Sequence, residues 1–395
     1  MRKAMSVLLA IFMVVTMLAG CGSSAATETS SAAAASSEAA ASAADSTAAG
    51  GDRIKIGVSI WSYTDALGKN VYDFLNYAAK ALDCDIEFAD NGFDTEKTVS
   101  SVENLIASGC DAIIVCNSSD GVMPKLINTC DQNGVYLAQF FRVISDADVS
   151  KIAQNSKYFL GCTHEDEVST GYNLGKKLAE KGVKNVGLIS WNHGDPTAEA
   201  RYTGYTKAFT ENNIKLLAEQ WEITTAEEAS KTTQNFLASY PEMEAIVVTG
   251  GSGEPLAGTV NALENLGKTG KIQVVSTDFL PTLRDDIASG KISAMSGGHW
   301  CDPFFSFMMA YNAVASQGSY MTEHPAEIKM DMVYVASVED VDNYNKWFLG
   351  DVPPYTTEEI QALSVKNGST LDALKKTAAA LSLDEVMTRH AGMVK

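Results

Sequence analysis

The stretch "IKIGVSI", Ile54 to Ile60, is an apolar run of strand length, and Val71, Phe74, Leu75, Ala78 and Leu82 come after it at helical spacing. A buried strand followed by an amphipathic helix is the first half of a βαβ unit. The cycle repeats. "IEFA" (86–89) precedes Val99, Val102, Leu105 and Ile106; "AIIVC" (112–116) precedes a helix near 121–132; "VYLAQF" (135–140) closes the series. Runs this uniformly apolar imply parallel strands covered by helices on both faces.

A second series begins after about residue 163. Strands are expected at "NVGLIS" (185–190), "AIVVT" (245–249) and "IQVVS" (272–276), alternating with helices near 167–181, 197–212, 226–238 and 255–266. Two similar series, together with the length of the segment from Arg53 onward, predict an α/β protein of two similar lobes. In open parallel sheets ligands sit beyond the carboxyl ends of the strands. The residues at and just past each strand end therefore make up the candidate site: Ser59, Trp61 and Tyr63; Asn117 and Asp120; Gln139 and Phe140; Trp191, Asn192 and His193; Gly250 and Gly251; Asp278; His299 and Trp300.

Ahead of the first strand the composition changes. Arg2 and Lys3, an apolar run from Val7 to Leu18 and the sequence "LAGC" ending at Cys21 read as a secretory signal over residues 1–20 with a lipidation site at Cys21. Residues 22–51 are almost wholly Ala, Ser, Thr and Gly, so 21–52 reads as a lipidated cysteine and flexible tether. These features predict a body held by lipid at the outer face of the cytoplasmic membrane.

The full chain carries a net charge of −19. Removing residues 1–20 leaves 28 basic against 49 acidic residues, a balance of −21, which makes nucleic acid a poor partner. Six further cysteines, Cys84, Cys110, Cys116, Cys130, Cys162 and Cys301, admit disulfides in an exported protein. Cys110 and Cys116 lie in or beside the apolar run "CDAIIVC", however, and read better as small buried hydrophobes.

Nothing in the pattern points to turnover. The five histidines show no metal-ligand spacing, and no cofactor or metal motif appears. "TGGSGEP" (249–255) reads as a tight strand-to-helix turn because it lacks the lysine of a phosphate loop. Glu165-Asp166-Glu167 reads as helix-dipole and solvated charge. His193 beside Asp195 has no accompanying nucleophile.

The chain from about Arg53 to Val335 resembles the ribose-binding branch of the type I periplasmic solute-binding proteins. The resemblance rests on "KIGVSIW", "LIASGCDAIIVCNSSD", "VGLIS" with "EARYTGYTKAF", "YPEMEAIVV", "VVSTD" and "IASGKISA". It implies two Rossmann-like lobes with parallel sheets, hinge-linked by three crossovers, here near Thr163, Gly298 and Asp331. The lobes would comprise 53–162 with 299–331, and 163–298 with 332–395 including the C-terminal extension. It further implies a monomer that closes on a small ligand and delivers it to ABC permease subunits. Arg201 and Asp278 match the family's clamping arginine and aspartate. Gln139-Phe140 stands for its Asp-Arg pair, Gly250 for its asparagine, and its late glutamine falls at Gly298 beside His299.

This set favours a sugar or polyol. A guanidinium and a carboxylate bind vicinal hydroxyls from opposite sides, and Trp61, Tyr63, Phe140 and Trp191 offer faces to the ring, although Phe140 reads equally as core. A nucleoside is a second ligand class, and presentation to a membrane receptor instead of a permease a second role. A quaternary ammonium ligand is disfavoured by the charge of Arg201.

Overall fold

Nearly every residue of the opening run is buried on both sides, as a strand between two helical layers must be. The computed structural model describes residues 53–250 and 253–393. The expected leader, Cys21, the tether and Gly251 lie outside them.

The strands, in chain order, are β1 (Lys55–Ile60), β2 (Asp85–Asp90), β3 (Ala112–Val115), β4 (Tyr136–Phe140), β5 (Phe159–Glu165), β6 (Asn185–Ile189), β7 (Lys215–Gln220), β8 (Ala245–Val248), β9 (Gln273–Thr277), β10 (Ala294–Gly297), β11 (Ala326–Met330) and β12 (Val333–Val335). They form two six-stranded sheets, ordered β11-β5-β4-β3-β1-β2 and β12-β10-β9-β8-β6-β7. Pairing is parallel except for β10 with β12. The sequence pattern missed β5, β7 and β10 to β12. β7 is an edge strand with no fully buried position, and β10, "AMSG", is built mostly of small residues.

The helices are α1 (Ala66–Ala81), α2 (Thr95–Ala107), α3 (Met123–Asn133), α4 (Ala147–Asn155), α5 (Glu167–Glu180), α6 (Pro196–Asn212), α7 (Ala226–Ser239), α8 (Glu254–Asn265), α9 (Leu283–Ala288), α10 (Asp302–Ala315), α11 (Val338–Trp347), α12 (Thr357–Ala362), α13 (Leu371–Ala380) and α14 (Leu383–Arg389). α10 is apolar almost all round and buried from Asp302 to Ala313, packed on β3, β4, β5, α1 and α13. Its few polar groups are mostly paired. Ser306 donates to the Gln139 carbonyl at 2.9 Å, while Asn312 donates to the Leu363 carbonyl at 3.0 Å and accepts from Val365 N at 2.8 Å.

The chain passes between the sheets three times. β5 stays in the first sheet as far as Glu165, so Thr163, expected at a crossing, lies inside the strand opposite Ile328; the passage falls at Asp166. The second passage runs through Gly298 into α10 and the third through Asp331 and Met332. The tail also departs from its expected place in the second lobe. α11 packs on α9 and β12, and α14 on α11, whereas α12 and α13 pack on α1, α10 and β11 of the first lobe. The Tyr77 and Thr357 hydroxyls meet at 3.0 Å, and Gln361 donates to the Ala81 carbonyl at 2.9 Å.

α5 and α6 cross at backbone contact. A Cβ on Gly171 would stand 2.0 Å from the Arg201 carbonyl oxygen, and one on Gly204 2.0 Å from that of Val168. Only glycine fits at either position. Gly204→Ala is expected to destabilise the protein by about 1–3 kcal/mol or more through forced separation of the helices, read as a lower denaturation midpoint.

All six described cysteines are free and buried. Burial pushes the thiols of Cys84, Cys116, Cys130 and Cys162 up to about 12, which removes the reactive thiolate at neutral pH. A thiol titration should therefore find almost no reactive groups in the native protein and these six after denaturation, and reductant should leave the melting temperature unchanged.

Candidate functional site

The α5–α6 contact sets up the polar centre of the molecule. α6 starts with Asp195 capping Ala198 N at 3.0 Å and Pro196 in the first turn, and it carries Arg201 to the end of β8. Because α5 lies against it, Glu167 meets the guanidinium with both oxygens: Nε to Oε2 at 2.5 Å and Nη2 to Oε1 at 2.8 Å. Nη1 donates to the Thr249 carbonyl at 2.9 Å. The side chains are 6% and 15% exposed. Burial alone would disfavour the charge on Arg201, but the carboxylate beside it holds the guanidinium protonated.

Gly250 makes room for this arrangement. It has φ +113°, and a Cβ there would stand 2.5 Å from Nη1 of Arg201. Any side chain would therefore have to displace the guanidinium.

Two adjoining spaces of about 990 and 360 Å³ open between the strand ends of the two sheets. Phe141, Arg142, Glu165, Glu167, Arg201 and Asp278 border both. Trp61 walls the smaller space from the first lobe. It stacks on Phe93 with centroids 5.2 Å apart and 8° between planes, lies tilted against Phe141 at 5.8 Å, and donates from Nε1 to Asp65 at 2.7 Å. Asp278, at φ +76°, extends from β9 into the same space. His299 borders it too, edge-on to Phe141 at 5.6 Å, and burial keeps its imidazole below the usual range despite the pull of Asp278. Trp191 lines the larger space with the Arg201 guanidinium 5.7 Å over its ring.

Of the residues expected at the site, Trp61, Asp120, Trp191, Arg201, Asp278 and His299 border this cleft, with Gly250 behind the arginine. The others lie elsewhere. Ser59 is fully buried in a hydrogen-bonded set with Ser101 and Asn91. Gln139 is fully buried and donates to Asn117 at 2.6 Å. Phe140, still in β4, is wholly core. Tyr63 packs with Tyr72 and Phe88, away from the cleft lining. His193 is exposed, stacked on Trp221 at 3.9 Å and bonded to Glu199 at 3.1 Å.

The physical reason for the shift at β4 is the turn after it. Phe141 has φ +57°, which ends the strand and brings Phe141 and Arg142, not Gln139 and Phe140, to the cleft. The repeated apolar-then-basic "FFR" was the available signal. Phe93, Asp65 and Met332 were also missed, because each belongs to a loop whose path the strand pattern does not set.

The acidic triple beside Arg201 is corrected as well. Asp166 does cap α5, accepting from Ser169 N at 2.9 Å. Glu167 is instead the partner of Arg201, and Glu165 is buried, 8% exposed, with Oε1 unpartnered. Asp302 at the start of α10 is likewise buried, accepting from the Thr163 hydroxyl with one oxygen while Oδ2 has no partner. Burial pushes the Asp302 carboxyl up to about 7. Burial, with Asp302 and Glu167 facing it, pushes Glu165 well above the carboxylate range. The neutralisation of Arg201 by Glu167 also weakens the repulsion expected against a cationic ligand.

Forked donors, carboxylate acceptors and flat apolar walls in one cleft suit a small polar ligand with apolar faces. The protein is similar to others of known name. The D-allose-binding periplasmic protein of Escherichia coli is 31% identical over 170 residues, covering 41% of this chain and 52% of that one. The D-ribose/D-allose-binding protein of Pseudomonas aeruginosa is 22% identical over 217 residues, 53% of this chain and 65% of that one. The alignments thus span between half and two thirds of these relatives' length. Among solved structures, a periplasmic solute binding protein of an ABC transporter from Actinobacillus succinogenes, with bound D-allose, superposes with TM-score 0.60 at 24% identity, over 74% of this chain and all of that one. The arabinose binding protein AraP of Geobacillus stearothermophilus gives TM-score 0.63 at 19% identity, over 74% and 99%. The model of the periplasmic binding protein domain matches residues 56–315, more than half of the chain. The chain belongs to the periplasmic binding protein domain family and has its two-lobed, type I fold.

Proposed function

We propose that the protein captures a monosaccharide or related polyol between its lobes and delivers it to the permease of an ABC importer, without chemical turnover. The observation that carries this reading is the cleft itself: Arg201 and Asp278 from the second lobe face the Trp61, Phe93 and Phe141 wall of the first. Aromatic faces take the C–H side of a ring while the fork and carboxylate take its hydroxyls. The names of relatives that bind D-allose, D-ribose and xylitol support the same ligand class. A ligand touching both lobes favours the closed arrangement by its extra contacts there, with the motion taken up near Asp166, Gly298 and Asp331. Acylation at Cys21 would keep the protein beside its permease at the outer face of the membrane.

Thermal-shift measurements over D-allose, D-ribose, L-arabinose, xylitol, adenosine and glycine betaine test the ligand class. A sugar or polyol at one hundred times its Kd should stabilise the protein by about 2.7 kcal/mol. A shift with adenosine or betaine alone overturns the reading. Asp278→Asn keeps a residue that tolerates positive φ and should weaken sugar binding by about 1–3 kcal/mol while leaving the unliganded melt in place.

A further inference from the structure

We propose that Glu165 is a further ligand-contacting residue of the cleft, donating a hydrogen bond from its carboxyl to a ligand oxygen and selecting for an acceptor at the hinge wall. This rests on the reading of the cleft as a sugar or polyol site.

Glu165 is the last residue of β5, opposite Met330, at the point where the chain leaves the first lobe. It borders both spaces of the cleft, yet is 8% exposed, and its Oε1 has no partner. A carboxyl of a cavity-lining residue that has a buried oxygen without a partner can turn that oxygen to whatever fills the cavity.

Burial and the surrounding charges together decide which form the carboxyl takes. Glu167 and Asp302 face it from α5 and α10. Arg201 is the nearby cation, but three of its N–H donors already go to Glu167 and the Thr249 carbonyl. His164 on the same strand turns to Glu327 at 2.8 Å. Arg142, Asp278 and His299 border the same recess. Burial first, and then the carboxyls of Asp302 and Glu167, disfavour its anion, so the group holds its proton. A protonated carboxyl is a hydrogen-bond donor, and it would add to the donors that Arg201 brings from the other lobe.

The test is isothermal titration of D-allose, D-ribose and xylitol into the wild-type chain and into Glu165→Gln, Glu165→Leu and Asp302→Asn, between pH 5.5 and 8.5, with unliganded melts alongside. The wild-type affinity should fall as pH rises through the Glu165 titration, by up to about tenfold per pH unit, because only the protonated fraction is competent. Glu165→Gln, whose amide still donates, should bind within about tenfold of wild type with that slope gone, and Asp302→Asn should keep a slope but move it to lower pH, because one of the carboxyls that disfavour the Glu165 anion is gone. Glu165→Leu should lose at least tenfold in affinity while melting higher than wild type, because an unpartnered buried acid has been removed; a purely structural residue would show the opposite melt. Equal pH profiles for wild type and Glu165→Gln, a slope abolished by Asp302→Asn instead, or full affinity in Glu165→Leu would each overturn the proposal while leaving the sugar reading standing. Binding of none of the probes by any form would overturn both. Should Glu165→Leu fail to fold, the profile of Glu165→Gln decides.

Discussion

The contact of α5 with α6 at Gly171 and Gly204 is the constraint on which the cleft depends. Backbone touching backbone leaves no space for adjustment, so the start of α5 and the second turn of α6 have one relative position. That position puts Glu167 against Arg201 in two hydrogen bonds. A buried guanidinium without its carboxylate would be strongly destabilising, whereas the pair as built roughly offsets its own desolvation. The pair therefore adds little to stability and much to geometry. It holds the guanidinium rigid at the border of the cleft, which would leave little ordering for the proposed ligand to do.

Much of the fold was legible in the sequence because both its signals are local: apolar runs of strand length and apolar residues at helical spacing. Most of the elements that escaped have a common cause. β7 is half exposed at a sheet edge, β10 is mostly small residues, and β12 pairs antiparallel; none presents a buried apolar run of full length. The site divided the same way. Trp191, Arg201 and Asp278 come after strands that the pattern located well, and they reach the cleft. Phe141 and Arg142 were displaced by one turn of chain because a positive φ at Phe141 is invisible to periodicity. Glu165 and Glu167 were misread because charge in sequence does not reveal burial, and their burial comes from the distant α10 and α6.

The interior carries more acid than its neighbours can pair. Asp302 and Glu165 both lie near crossings between the lobes, and both have an oxygen without a partner. Apolar residues at these places would pack at lower cost, so the polar groups weaken the segments where the proposed lobe motion would be taken up. A hinge region that is less stable than the sheets on either side is what a binding protein with moving lobes requires.

The tail changes where one molecule can be divided from another. The match to the periplasmic binding protein domain ends at Ala315, the last residue of α10, but β11 and β12 each complete one sheet and α13 covers α10. Cut at that boundary, the first sheet would have β5 as a bare edge, the second would lose the partner of β10, and a helix apolar all round would face water. The segment that carries the family's signature is thus not a folding unit. Grafting, shortening or swapping this protein must keep β11, β12 and α13 together with residues 56–315.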